Sequence, residues 1–131
     1  MSNTKWNEIL GWGSEEMEDL RFVGFSYIQQ GQYDIAISFF QALCILEPKN
    51  AYDLQMLGAL YLQKGNGLAA LENLDKSLKI EPNHFGTLLN RCKTLFLLGY
   101  TKQGLQQAEE LKKCEDGEIA KQATALLLSY S

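Results

Sequence analysis

The chain is short of chain breakers and of the residues that carry catalysis. Its 131 residues include two prolines, three cysteines and one histidine. Two prolines amount to about 1.5%, against a usual level of roughly 5%, which argues against a loop-rich or disordered chain. Cys44, Cys92 and Cys114 are odd in number and contain no close pair. That excludes a disulfide framework or a zinc cluster and fits small core residues in a reducing compartment. With His84 as the lone imidazole, no Ser-His-Asp or Cys-His relay can be assembled. The chain therefore reads as a non-enzyme with no metal and no cofactor. No apolar run approaches the 18 or so residues of a membrane span. The opening Met-Ser-Asn-Thr-Lys-Trp-Asn-Glu lacks the basic-then-apolar order of a signal peptide. Cytoplasmic residence without stable membrane insertion is the expectation. Twelve Lys and Arg against sixteen Asp and Glu give a net charge of −4, which disfavours nucleic acid as a partner.

The two prolines share a context, Glu-Pro-(Lys/Asn)-(Asn/His), and Pro48 and Pro82 are 34 residues apart. The same offset recurs along the chain. It links Gly24, Gly58 and Cys92; Tyr27, Tyr61 and Leu95; and Gly31, Gly65 and Gly99. It also links Ala36, Ala70 and Gly104; Phe40, Leu74 and Ala108; and Pro48, Pro82 and Asp116. Each register has a physical reason. Small residues let two helices approach, and large ones fill the space beside them. The Gly31 register supplies left-handed helix ends, and the prolines prevent continuation.

Helices are expected near 17–30, 33–46, 51–64, 67–80, 85–98 and 101–114. Ile35, Phe39, Ala42, Leu43 and Leu46 recur at helical spacing. Asn50 and Asn83 stand where N-caps are wanted, and Ser14 is placed to cap the first helix. Glu15, Glu16, Glu18 and Asp19 read as a solvated, dipole-favoured first turn. A seventh helix over about 117–130 would place Ile119, Ala123, Leu126, Leu127 and Tyr130 on one face and cap the array. Residues 3–12 suggest a short leading helix. Gly65-Asn-Gly67-Leu-Ala-Ala70 matches G-x-G-x-x-A. A helix rather than a strand precedes it, so it is not a dinucleotide fingerprint.

A period of 34 with these residues resembles the tetratricopeptide repeat (TPR) over about 100 residues. The resemblance implies an all-α, right-handed superhelical solenoid. A segment 1–16 precedes three helix-turn-helix repeats over 17–118, divided as 17–50, 51–84 and 85–118, and a capping helix follows at 117–131. The third repeat departs from the pattern at Cys92, Leu95, Gly104 and Asp116. In the family, ligands lie in a concave groove lined by the first helix of each repeat. Carried onto this chain, the partner-binding residues are Arg21, Phe22, Phe25 and Ile28 in repeat one. They are Tyr52, Gln55, Met56, Ala59 and Leu62 in repeat two, and Leu89, Asn90, Lys93 and Phe96 in repeat three. The face is mostly apolar and aromatic, which suits an apolar peptide or helix face. Co-chaperone TPR domains clamp a C-terminal carboxylate with Lys and Asn. The matching positions here hold Arg21, Phe25, Gln55 and Ala59, so that adaptor role is not implied.

A narrower likeness lies in Gly31-Gln-Tyr-Asp-Ile-Ala-Ile-Ser-Phe-Phe-Gln-Ala-Leu-Cys-Ile-Leu-Glu-Pro48 and Leu57-Gly-Ala-Leu-Tyr-Leu-Gln-Lys-Gly65. These segments resemble the first two repeats of type III secretion chaperones of the translocator class. The needle-subunit chaperones of the same system are a close alternative. The resemblance implies a bacterial cytoplasmic chaperone. Its client would be a secreted translocator or needle subunit, kept soluble and unassembled before export. A small co-chaperone or a homodimer stays open as a further partner. A generic TPR scaffold joining two folded proteins is the alternative. So is an oligomerisation subunit docking through Leu126-Leu-Leu-Ser-Tyr130.

Overall fold

The computed structural model describes residues 11–131. Seven helices run through them: α1 Ser14–Gln29, α2 Tyr33–Leu46, α3 Ala51–Gln63, α4 Gly67–Ile80, α5 Phe85–Leu97, α6 Thr101–Lys112 and α7 Gly117–Tyr130. The described residues contain no strand. None of these helices is long and apolar enough to cross a membrane. The expected leading helix over 3–12, and most of the segment 1–16, lie outside the described residues.

Local chemistry sets the helix ends. Gly31, Gly65 and Gly99 adopt φ of 74°, 79° and 84°, the left-handed conformation that side chains resist. Beyond each glycine the chain bonds back into the helix it has left. Gln32 N donates to Tyr27 O at 2.9 Å, Asn66 N to Tyr61 O at 2.9 Å and Tyr100 N to Leu95 O at 2.8 Å. These are three copies of one Schellman stop. Helix starts vary more. The Asn50 side chain accepts from Asp53 N at 2.9 Å, and Asn66 accepts from Ala69 N at 3.2 Å. At α5 the cap is His84 and not Asn83: its Nδ1 accepts from Thr87 N at 3.2 Å. At α1 the cap residue is Gly13 and not Ser14, and Glu16 accepts the Gly13 N–H at 3.0 Å. Asp116, in the register of the prolines, caps α7 by accepting from Glu118 N and Ile119 N, both at 3.1 Å.

Consecutive helices pack as antiparallel neighbours. In addition α3 touches α5, and α5 touches α7. The second helices α2, α4 and α6 form no comparable contacts with one another. From α3 onward the first-helix layer is therefore the tighter, inner side of the stack, α7 extends it, and α1 joins it through the side chains of Arg21 and Asp53. Within each pair, close approach is bought by size matching. A Cβ on Gly24 would stand 2.9 Å from the Phe40 ring, and one on Gly58 would stand 2.6 Å from Leu74. In the third pair the sizes are exchanged. Cys92 takes the glycine position, Ala108 takes the position of Phe40 and Leu74, and both are fully buried. Gly104 in turn makes room for Phe96, whose ring would lie 2.8 Å from an added Cβ. The third repeat departs from the pattern as a compensated set.

Two buried clusters result. Met17, Ala36, Phe40, Leu43, Leu57 and Leu60 form one. Leu89, Cys92, Phe96, Ala108, Leu111 and Ala123 form the other.

Candidate functional site

The inner face of the first two pairs is organised by Arg21 on α1. Its guanidinium is buried and reaches three carboxylates. Nε and Nη2 donate to the two oxygens of Asp53 on α3, each at 2.8 Å. Nη1 donates to Glu18 at 2.7 Å, and Nη2 also donates to Glu47 at 3.0 Å. Asp53 is wholly buried and faces Arg21 with both oxygens, a geometry that makes a charge-assisted pair strong. The hydrogen bonds to these carboxylates, led by Asp53, raise the Arg21 pKa further above its ordinary value against the opposing effect of burial. The cluster ties α1 to α3 and to the residue that ends α2, so it sets the spacing of the first two repeats.

Above this cluster opens a cleft of about 390 Å³ lined by Glu18, Arg21, Phe22, Phe25, Asn50 and Tyr52. Three large aromatic side chains stand exposed here, Phe22 at 72%, Phe25 at 41% and Tyr52 at 41%. Tyr52 rests edge-on against the core ring of Phe40, with centroids 6.3 Å apart. Partial burial, followed by the charge of Asp53, pushes its phenol pKa up.

The remaining expected groove residues fall into two groups. Ile28, Gln55, Met56, Ala59 and Leu62 are half-buried along the inner face, and Ile28 and Met56 pack on the first core cluster. Asn90 and Lys93 are also half-buried, with Lys93 Nζ 3.3 Å from the Gln122 side chain on α7. Leu89 and Phe96 are buried. Tyr130 of α7 stacks on Phe96 with centroids 4.0 Å apart and planes 8° from parallel. The structure thus brings Arg21, Phe22, Phe25 and Tyr52 to one cleft and takes Leu89 and Phe96 into the interior. Phe96 shares its repeat position with half-buried Ile28 and Leu62, but Tyr130 of α7 covers it.

A second cleft, of about 540 Å³, escaped the sequence reading. Trp12, Leu20, Ser38, Phe39, Ala42, Ile45 and Leu46 line it between α1 and α2. Its lining is almost wholly apolar. Ile45 is exposed there, and Phe39 stacks on Tyr27 with centroids 5.5 Å apart. The helical recurrence of Phe39, Ala42 and Leu46 was the visible signal, but it reads equally as core.

The Gly65-x-Gly67 segment is a helix-to-helix turn, with Gly65 in the stop and Gly67 the first residue of α4. His84 serves as a helix cap.

The tetratricopeptide repeat family model matches residues 54–84. No curated protein matches the sequence significantly. Solved structures match over nearly the whole chain. PcrH of Pseudomonas aeruginosa, in complex with the chaperone binding region of PopD, is 26% identical with a TM-score of 0.81. That match covers 92% of this chain and 94% of PcrH. The Yersinia enterocolitica type III secretion chaperone SycD, in complex with a peptide of the translocator YopD, is 23% identical with a TM-score of 0.80. It covers 90% of this chain and 94% of SycD. A type III secretion complex from Aeromonas hydrophila is 23% identical with a TM-score of 0.84, covering 97% of this chain and 88% of the other. The chain carries a tetratricopeptide repeat and resembles the type III secretion translocator chaperones in fold along nearly its whole length.

Proposed function

We propose that the chain is a non-catalytic type III secretion chaperone of the bacterial cytoplasm. It holds an apolar segment of a secreted subunit against its inner face and keeps that subunit soluble and unassembled before export. The observation that carries the reading is the aromatic cleft. Phe22, Phe25 and Tyr52 stand exposed side by side on the inner layer, where a folded chain ordinarily buries such side chains. Covering them contributes about 25 cal/mol per Å² of apolar area, before the cost of ordering the client. Ile28, Met56, Ala59 and Leu62 extend the apolar track towards α5. Asn90 and Lys93 supply its polar end.

The translocator class is the favoured client, because PcrH and SycD are among the fold relatives and the SycD complex holds a peptide of the translocator YopD. Coexpression with a translocator and, separately, with a needle subunit of the same secretion apparatus tests this. The expected result is a soluble complex with the translocator that co-elutes in size exclusion. Co-elution with the needle subunit alone would reassign the client, and co-elution with neither would contradict the chaperone reading.

A further inference from the structure

We propose that the cleft between α1 and α3 selects a lysine or arginine side chain of the bound segment. The inference rests on the groove reading above and adds a chemical preference to it. Three carboxylates, Glu18, Glu47 and Asp53, surround the single guanidinium of Arg21. The cluster therefore carries a net charge of −2 at neutral pH. All three guanidinium nitrogens already donate to carboxylate oxygens, so Arg21 is committed to the protein and does not recruit a client carboxylate. Asp53 is wholly buried and gives both oxygens to Arg21, and Glu47 lies outside the lining, so Glu18, bonded through Oε1 alone, is the carboxylate of the cleft wall and keeps Oε2 as an acceptor. Lys49, in the α2–α3 turn, is exposed and does not line the cleft.

The aromatic rings complete the preference. Phe22, Phe25 and Tyr52 line the same cleft as Glu18, and a cation over an aromatic face is attracted by the ring quadrupole. A lysine or arginine stem is apolar while its head is charged, so one side chain satisfies both the rings and the acids. A purely apolar side chain would cover the rings and leave Glu18 facing desolvation, and an acidic one would be repelled by the net negative cluster. The cleft near Trp12 has no charged side chain in its lining and so offers no such preference.

A phage-displayed library of random decapeptides, selected against the full chain, is the probe. The wild-type chain is expected to enrich apolar sequences that also carry Lys or Arg. For a selected peptide followed by fluorescence polarisation, replacing that Lys by norleucine weakens binding about tenfold. On the variant E18Q/E47Q the same replacement costs less than about threefold, because the lining acceptor is uncharged and the cluster beneath it is neutral. Phe22→Leu keeps the charges at a largely exposed position, so folding is preserved, and it weakens the lysine peptide more than the norleucine one. Circular dichroism melts verify that both variants fold. Enrichment of apolar sequences without Lys or Arg would overturn the inference. So would a norleucine penalty of equal size on wild type and E18Q/E47Q. Selection of no peptide at all by the wild-type chain would contradict the groove reading itself, and this inference with it.

Discussion

Repeats one and two open Phe22, Phe25 and Tyr52 to solvent over a charged cluster, whereas the third repeat presents Lys93 and Phe96 to another helix. Ile28, Leu62 and Phe96 stand 34 residues apart, and Tyr130 continues the series. Ile28 and Leu62 are half-buried on the inner face, while Phe96 is buried under Tyr130. At the other end Phe22, Phe25 and Tyr52 have no such lid among the described residues and lie over a buried ion cluster. The period therefore fixes where a side chain points, and the neighbouring helix decides whether that direction is a surface or an interior. The same comparison holds for charge. Arg21 pairs with a wholly buried Asp53, whereas Arg91 meets Asp75 at 2.6 Å near the surface.

The largest expected effect lies in that contrast of charges. Arg21→Ala leaves Asp53 buried without its partner and should cost about 3–5 kcal/mol in urea unfolding. Arg91→Ala, losing a partly solvated pair, should cost under about 1 kcal/mol. Equal losses would erase the difference between the two ends. Next is the exchanged packing of the third repeat. Ala108→Leu against Cys92 should overpack the α5–α6 contact by about 1–3 kcal/mol. Adding Cys92→Gly restores the arrangement of Gly58 and Leu74 and should recover part of the loss, which a double-mutant cycle would read as coupling. Removal of the stacked lid by Tyr130→Ala should cost about 1–2 kcal/mol, the pair itself supplying about 0.5–1.5 of it. Its melting temperature against that of Phe25→Ala would separate a ring that closes the core from one that faces a client.

The smallest effect concerns the thiols, one in or beside each core cluster. Burial pushes Cys44 up to about 12 and Cys92 up to about 11, against an ordinary 9.0. A folded pKa above the unfolded one favours the protonated, folded form. The corresponding stability is complete below pH 9 and falls as pH rises through 9 towards 11 and 12. Stability curves of Cys44→Ala and Cys92→Ala should flatten over that window while matching the shape of the wild-type curve below it.

Much of the fold was legible because its stops are local. A glycine that must take positive φ and a proline that ends a pair leave marks at fixed spacing, and all three turn glycines occupy the left-handed region. Asn50 was readable as a cap for the same reason. His84 was less so, since adjacent Asn83 has the better capping side chain and a shift of one residue decides between them. The third repeat looked degenerate because its changes were read one register at a time. Taken as contacting pairs, Cys92 with Ala108 and Gly104 with Phe96, they compensate.

The candidate site was legible only in part. The repeat positions pointed to Phe22, Phe25 and Tyr52, which line one cleft with Arg21. The burial of Arg21 was not foreseeable from its own position, because its partner Asp53 lies 32 residues away and outside the groove series. The covering of Phe96 did leave a signal, since the 34-residue period runs on into α7 and brings Tyr130 to the same place one repeat later. The apolar cleft near Trp12 is walled by residues of α1, of α2 and of the segment before α1, which spacing along one helix does not report.

The most direct test compares the two ends through a client. The chain is coexpressed with a translocator subunit as wild type, as Phe25→Glu and as Leu128→Glu, the last altering an exposed apolar side chain on α7. Complex recovery is measured by size exclusion, and helicity by circular dichroism. All three proteins should keep full helicity. Wild type and Leu128→Glu should retain the client while Phe25→Glu loses it. Full recovery of the client by Phe25→Glu, or its loss with Leu128→Glu alone, would contradict the assignment of binding to the α1–α3 end of the groove.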